Sequence, residues 1–327
     1  YACYNADEKI RLESSSGGVF TLIAEQVINN NGVVFGAAFE DDFSVIHSYV
    51  TEKDKLWAFR GSKYVQSEIG STYSQAKEFL QQGRQVLFSG TPCQIGGLKS
   101  FLGQDYDNLF CIDIVCHGVP SPKVWQKYVS YRENYAGAPA QRIAFRRKDE
   151  GWKRFSVSFL FKNDTEYRQT LHQDLYMRAF LKDVCLRPSC YACRFKSLHR
   201  QSDITLADFW GIQRVLPEMD DDKGTSLIFT NSDKGRLMLE QIRERMVCNE
   251  VDINEAVSYN SAAVKSVQYN PKRERFFAEL DERSFDELVN NYCTDSLRVR
   301  FKRRVKGGVV SVLRKIGMLD TVKRLIG

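Results

Sequence analysis

No stretch of this chain approaches the roughly 20 consecutive apolar residues that a membrane-spanning helix needs. Charged residues make up 27% of its 327 positions, so a soluble globular body is expected. The opening YACYNADEKIRLESSSGG lacks the basic start, apolar core and small-residue cleavage site of a secretory signal, and no initiating Met precedes it. A cytoplasmic location is expected. There is no G-x-x-x-x-G-K-[ST] loop and no G-x-S-x-G elbow, and the four histidines (His47, His117, His172, His199) never take H-E-x-x-H spacing. Nucleotide hydrolysis, serine hydrolysis and histidine-zinc hydrolysis therefore lack their central parts. Neither an internal repeat nor a low-complexity linker interrupts the chain before residue 296.

What the chain does have is cysteine, nine in all. An odd number leaves any disulfide set incomplete, and in a reducing compartment clustered thiols more often bind metal. The formal charge of +6 is concentrated at one end: residues 296–327 hold ten Lys or Arg against Asp320, a net of +9, which leaves −3 for the rest. Basicity therefore gives no sign of nucleic-acid binding by the body. The tail interleaves cations with Val, Leu, Ile and Met at helical spacing. It reads as an amphipathic helix for peripheral membrane or partner contact, or else as a solvated tail.

Apolar spacing at Phe20, Ile23, Ala24 and Val27 predicts a helix fed by the loop Ser14-Ser15-Ser16-Gly17-Gly18. VVFGAAFE and SVIHSYVT predict a hairpin. A helix (STYSQAKEFLQQ), a buried strand (QVLFSG), a second helix after TPCQIGGLKSFL and a second buried strand (NLFCIDIVCHG) follow βαβ grammar, with ligands expected beyond the strand ends. From Ile143 onward, IAFRRK, FSVSFLFK and TEYRQTL alternate as antiparallel strands do. The fold class expected is α/β passing into α+β: an α/β half over 14–140 with a mixed or parallel sheet, an antiparallel-strand-rich half over 141–295, and the basic tail.

Five cysteines occupy ligand-like places: Cys93 in GTPCQ, Cys116 in VCHG, and Cys185, Cys190 and Cys193 in C-x4-C-x2-C. A C-x2-C pair lets two thiolates converge on one centre. The spacing admits either an iron–sulfur cluster or zinc, although structural zinc usually draws on two such knuckles and only one is present. Cys93 also has a rival reading, as a nucleophile activated by a helix N-terminus. Cys3, Cys111, Cys248 and Cys293 read as small buried hydrophobes. The Ser-Gly loop could present helix N–H groups to a phosphate or simply cap a helix. Lys63 in GSKY could meet a pyrophosphate or solvent, and DFWG at Asp208–Gly211 could border a flavin or belong to the core.

Taken in order, SSSGGVF, GSKYVQS, VLFSGTPCQIGGL, DIVCHGVPSP, RPSCYACRFK and SDITLADFWGI resemble the coenzyme F420 hydrogenase/dehydrogenase beta subunit family over roughly residues 10–235. The resemblance leans toward its bacterial branch, found beside polysaccharide-biosynthesis enzymes. It implies a flavin-dependent oxidoreductase that passes electrons between a [4Fe–4S] cluster, FAD and an acceptor the sequence does not name. By motif it implies Cys93, Cys116, Cys190 and Cys193 as cluster ligands, with Cys185 as the alternative, and Ser16, Gly17, Gly18, Ser62 and Lys63 as flavin contacts. Catalytic residues stay unassigned. A ferredoxin-like electron donor is the implied partner, either separate or an upstream domain of which residues 1–13 would be the residual linker. From a different class, the alternative is a non-catalytic, zinc-stabilised assembly module acting beside polysaccharide enzymes.

Overall fold

A computed structural model describes residues 1–294. The basic tail expected over 296–327 lies outside the described residues.

The described chain contains strands β1 (Ala2–Asn5), β2 (Val33–Phe39), β3 (Val45–Val50), β4 (Val86–Gly90), β5 (Leu109–Ile114), β6 (Ala140–Arg147), β7 (Ser156–Phe161), β8 (Glu166–Thr170), β9 (Ile204–Asp208), β10 (Ser226–Thr230) and β11 (Met246–Asn249). Among its helices are α1 (Glu8–Glu13), α2 (Val19–Asn29), α3 (Thr72–Gln81), α4 (Pro92–Leu102), α5 (Pro122–Ala136) and α6 (Leu175–Leu181). Eight strands form one sheet in the order β11-β1-β10-β9-β5-β4-β2-β3, and β6-β7-β8 form a second.

In the large sheet β2, β4, β5 and β9 run parallel, flanked on both sides by antiparallel partners. The βαβ grammar of the sequence and the predicted β2–β3 hairpin are both present. Parallel strands covered on both faces read as continuous apolar runs, and alternate residues then serve opposite cores. Leu87, Phe110 and Ile112 join α2 on one face, whereas Val86, Phe88, Leu109 and Cys111 join α3 and α4 on the other. Cys111 is thereby a core residue, its thiol pushed up to about 12 by burial.

The second sheet is the predicted antiparallel unit, β6–β7–β8. It packs with α5 and α6 around Trp125, Tyr128, Phe145, Phe159 and Tyr176. Two placements depart from the linear reading. Residues 1–13 supply β1, seated between β10 and β11, and α1. Cys3, expected as a lone buried thiol, faces Cys248 across the β1–β11 pair and forms a disulfide with it. Among the described residues, no helix is long and apolar enough to cross a membrane.

Candidate functional site

The carboxyl ends of β4 and β5 lie side by side, Gly90 registering with Asp113. After β4 the chain turns through Thr91 into α4, with Pro92 at the first helical position and a Thr91–Gln94 capping box, an economical strand-to-helix corner. This puts Cys93 in the first turn of α4. After β5 the chain stays extended, and Val115 N–H donates to the Leu206 carbonyl at 3.0 Å. Segment 185–196 then folds across that extension: Leu186 bridges Pro120, and Arg187 N–H donates to the Val119 carbonyl at 2.8 Å. A short turn, Pro188–Ala192, carries Cys190 and leads to Cys193.

The outcome is one small cavity lined by Cys93, Cys116, Cys190 and Cys193 together with His117, Phe195, Lys196 and Arg200. The approach is close because of Gly96: a Cβ there would sit 2.7 Å from the Phe195 ring, so only glycine lets the Cys193 segment rest on α4. Val119 N–H points at Cys190 Sγ from 3.4 Å, and Thr91 Oγ1 lies 3.1 Å from Cys93 Sγ. Cys185 is elsewhere. It is fully buried in the α5/α6 core beside Cys293, where burial pushes its thiol far up.

Burial also pushes the Cys116 thiol up to about 12 and raises Cys190, against the pull of the Lys196 ammonium on Cys116. Lys196 donates to the backbone oxygens of Cys116 and, at 2.8 Å, Ala262. Behind the cavity Arg200 lies buried 3.6 Å from Asp113, and Arg200 Nε and Asp113 Oδ1 have no hydrogen-bond partner. Such thiols hold their protons unless a metal displaces them. Four soft sulfur donors from three chain segments, with two cations among them, fit a thiolate-ligated metal group. Among the described residues, no group of three or more His, Cys, Asp or Glu is arranged to hold a single metal ion.

An open cleft of about 1330 Å³, mouth included, adjoins this cavity. Ser16, Gly18, Ser62 and Lys63 all line it, whereas Gly17 does not: a Cβ on Gly17 would collide with the Cys3 backbone oxygen, so this glycine is needed for packing on β1. Gly18 caps α2 in the left-handed region (φ 78°) without any side-chain cap, and Val19, Phe20 and Thr21 of the first turn of α2 line the cleft. Ser15 Oγ accepts from the Ser62 N–H (2.6 Å) and hydroxyl (2.8 Å), tying the Ser-Gly loop to GSKY. Lys63 has no carboxylate partner among the described residues. Its ammonium donates to the Arg60 and Gly61 carbonyls at 3.2 and 3.4 Å, and burial lowers its pKa to about 7.

Several other residues of these walls carry no motif in the sequence. Arg146 on β6 reaches Asp208 at 2.5 Å and lies over the Phe155 ring, and its Nε and Nη2 have no partner. His47 sits with Nδ1 2.8 Å from Ser67 Oγ and Nε2 3.0 Å from the Ser89 carbonyl, and burial drops its pKa to about 4, so it is neutral. Lys148 does not line the cleft but braces it, donating to the carbonyls of Arg11, Ser16 and Lys223 at 2.8 Å each. Alternation along IAFRRK would set Ile143, Phe145 and Arg147 on one face, yet Arg146 is buried too, where the β6–β7 register shifts between Ala144 and Arg147; Arg146, His47 and Lys148 therefore carry no local signal. The two sites meet at the β4–α4 corner, where Gly90, Thr91 and Gln94 line the cleft and Pro92 and Cys93 line the cysteine cavity.

Comparison with known proteins gives two findings. Residues 83–256 match the family that comprises the C terminus of the coenzyme F420 hydrogenase/dehydrogenase beta subunit. In fold the chain is similar to a chain of the F420-reducing [NiFe] hydrogenase complex from Methanosarcina barkeri, with TM-score 0.53 and 15% identity over 83% of this chain and 94% of that one. No curated protein matches it.

Proposed function

The chain belongs to the coenzyme F420 hydrogenase/dehydrogenase beta subunit family, and from that premise we propose that it is an oxidoreductase passing electrons between a [4Fe–4S] cluster, FAD and a further acceptor. The observation that carries this reading is the shared corner at residues 90–94, which sets a four-cysteine cavity directly against a large cleft at the carboxyl ends of parallel strands. Cys93, Cys116, Cys190 and Cys193 would hold the cluster, and the cleft would hold the flavin. When bound, the cluster handles single electrons and the flavin can collect two, which is the change of electron count such a pair supplies.

The chain's own groups have definable tasks. The uncapped first turn of α2 and the Lys63 ammonium offer N–H donors and a cation to a pyrophosphate. Ser15 holds the Ser62 backbone so that both loops face the same space. Lys196 and Arg200 offset thiolate charge at the cysteine cavity. Cys93 is exposed, so the cavity has a solvent edge at which a ferredoxin-like partner could deliver electrons.

Anaerobic reconstitution followed by iron, sulfide and flavin analysis tests the proposal. The expected product is brown, with about four iron and four sulfide per chain and one releasable FAD. A colourless protein holding one zinc would replace this reading with the zinc-stabilised assembly module.

A further inference from the structure

A continuous hydrogen-bonded string leaves the cysteine cavity and runs along the wall of the cleft. Cys93 Sγ lies 3.1 Å from Thr91 Oγ1; Thr91 Oγ1 lies 3.0 Å and its N–H 2.9 Å from Gln94 Oε1. Gln94 Nε2 donates to Ser67 Oγ at 2.9 Å, Ser67 Oγ lies 2.8 Å from His47 Nδ1, and His47 Nε2 lies 3.0 Å from the Ser89 carbonyl. Every residue of the string except Cys93 lines the cleft.

The direction of each bond follows from what its ends can do. Ser89 offers only a carbonyl, so His47 Nε2 carries the ring proton and Nδ1 is an acceptor. Ser67 must then donate to His47, which leaves its lone pairs for the Gln94 amide. Gln94 Oε1 thus faces Thr91 as an acceptor, and the orientation of this amide is fixed from the far end.

Only the Thr91 hydroxyl is left with a choice. It has one proton and two acceptors in reach, Gln94 Oε1 and Cys93 Sγ. A ligating Cys93 sulfur can only accept, so the one hydroxyl proton is divided between the sulfur and Gln94 Oε1. A hydrogen bond to a ligating sulfur stabilises the more negative, reduced state and raises the reduction potential.

Resting on the cofactor assignment above, we propose that Thr91, Gln94, Ser67 and His47 form a positioning relay through which occupancy of the cleft sets the hydrogen bond at Cys93 Sγ and so the electron affinity of the cluster. A flavin that offers a polar group to Gln94 or Ser67 competes for the amide and changes the share of the Thr91 proton left for the sulfur. Cleft and cluster are then linked thermodynamically, and the linkage is reciprocal.

The test is a potentiometric titration of the reconstituted holoprotein followed by EPR, with saturating FAD and after FAD removal. Thr91→Val is expected to shift the cluster midpoint to lower potential, and Thr91→Ser, which keeps the hydroxyl, is expected to restore it. Ser67→Ala, which touches neither Cys93 nor Thr91, should shrink the difference between the flavin-loaded and flavin-free midpoints. An unchanged midpoint in Thr91→Val, or an undiminished difference in Ser67→Ala, would overturn the relay while iron, sulfide and FAD contents at wild-type level leave the cofactor assignment standing. Absence of iron or FAD from the wild-type protein would overturn that assignment, and the relay with it.

Discussion

At the scale of single residues, the five ligand-like cysteines separate cleanly by surroundings. Cys190→Ser removes a cavity-wall thiol and is expected to lose most bound iron with little change in folding, because Cys190 is only partly buried. Cys185→Ser should do the opposite: iron content stays, and stability drops by about 1–3 kcal/mol as a hydroxyl enters an apolar core, read as a lower urea midpoint. Lys63 gives a sharper readout. With its pKa near 7 it is mostly neutral at pH 8, and a pyrophosphate beside it would favour the charged form. FAD binding at pH 8 should therefore take up close to one proton, seen by calorimetry in buffers of different ionisation enthalpy, and Lys63→Met should abolish the uptake. Cys93 and Cys116 were legible in the sequence because both follow the ends of buried strands. Arg146 was not, since what gives it meaning is Asp208, 62 residues away.

At the scale of elements, the site depends on how closely two segments approach. Gly96→Val places methyl groups where the Phe195 ring lies, so segment 190–196 must lift off α4. Lower iron retention and faster proteolysis near residue 195 are expected, while the sheet, and hence the far-ultraviolet circular dichroism, is retained. Strands with long apolar runs and the hairpin at β2–β3 were readable because their partners are near in sequence or their burial is two-sided. Residues 1–13 were not, because β1 has only four residues and its meaning comes from pairing with β10 and β11, more than 220 positions away. Gly17 likewise read as a cofactor loop, and only the Cys3 carbonyl beside it shows the packing constraint.

At the scale of the whole molecule, two lysines held at low pKa make stability depend on pH. Lys63 and Lys148 have folded pKa values near 7 against about 10.5 unfolded, so between these values the unfolded chain binds more protons. Stability of the cofactor-free protein therefore rises with pH across this window. Its urea midpoint should increase from pH 7 to pH 9, and Lys63→Met should flatten the slope. A second consequence concerns time. A chain is synthesised from its N-terminus at about 5–20 residues per second, yet the first strand of the large sheet docks between two of its last. On the ribosome β1 would wait roughly 10–45 s for β10. During that interval an unpaired strand stands open to other chains, so this fold would depend on whatever shields nascent edges until residue 249 has been made.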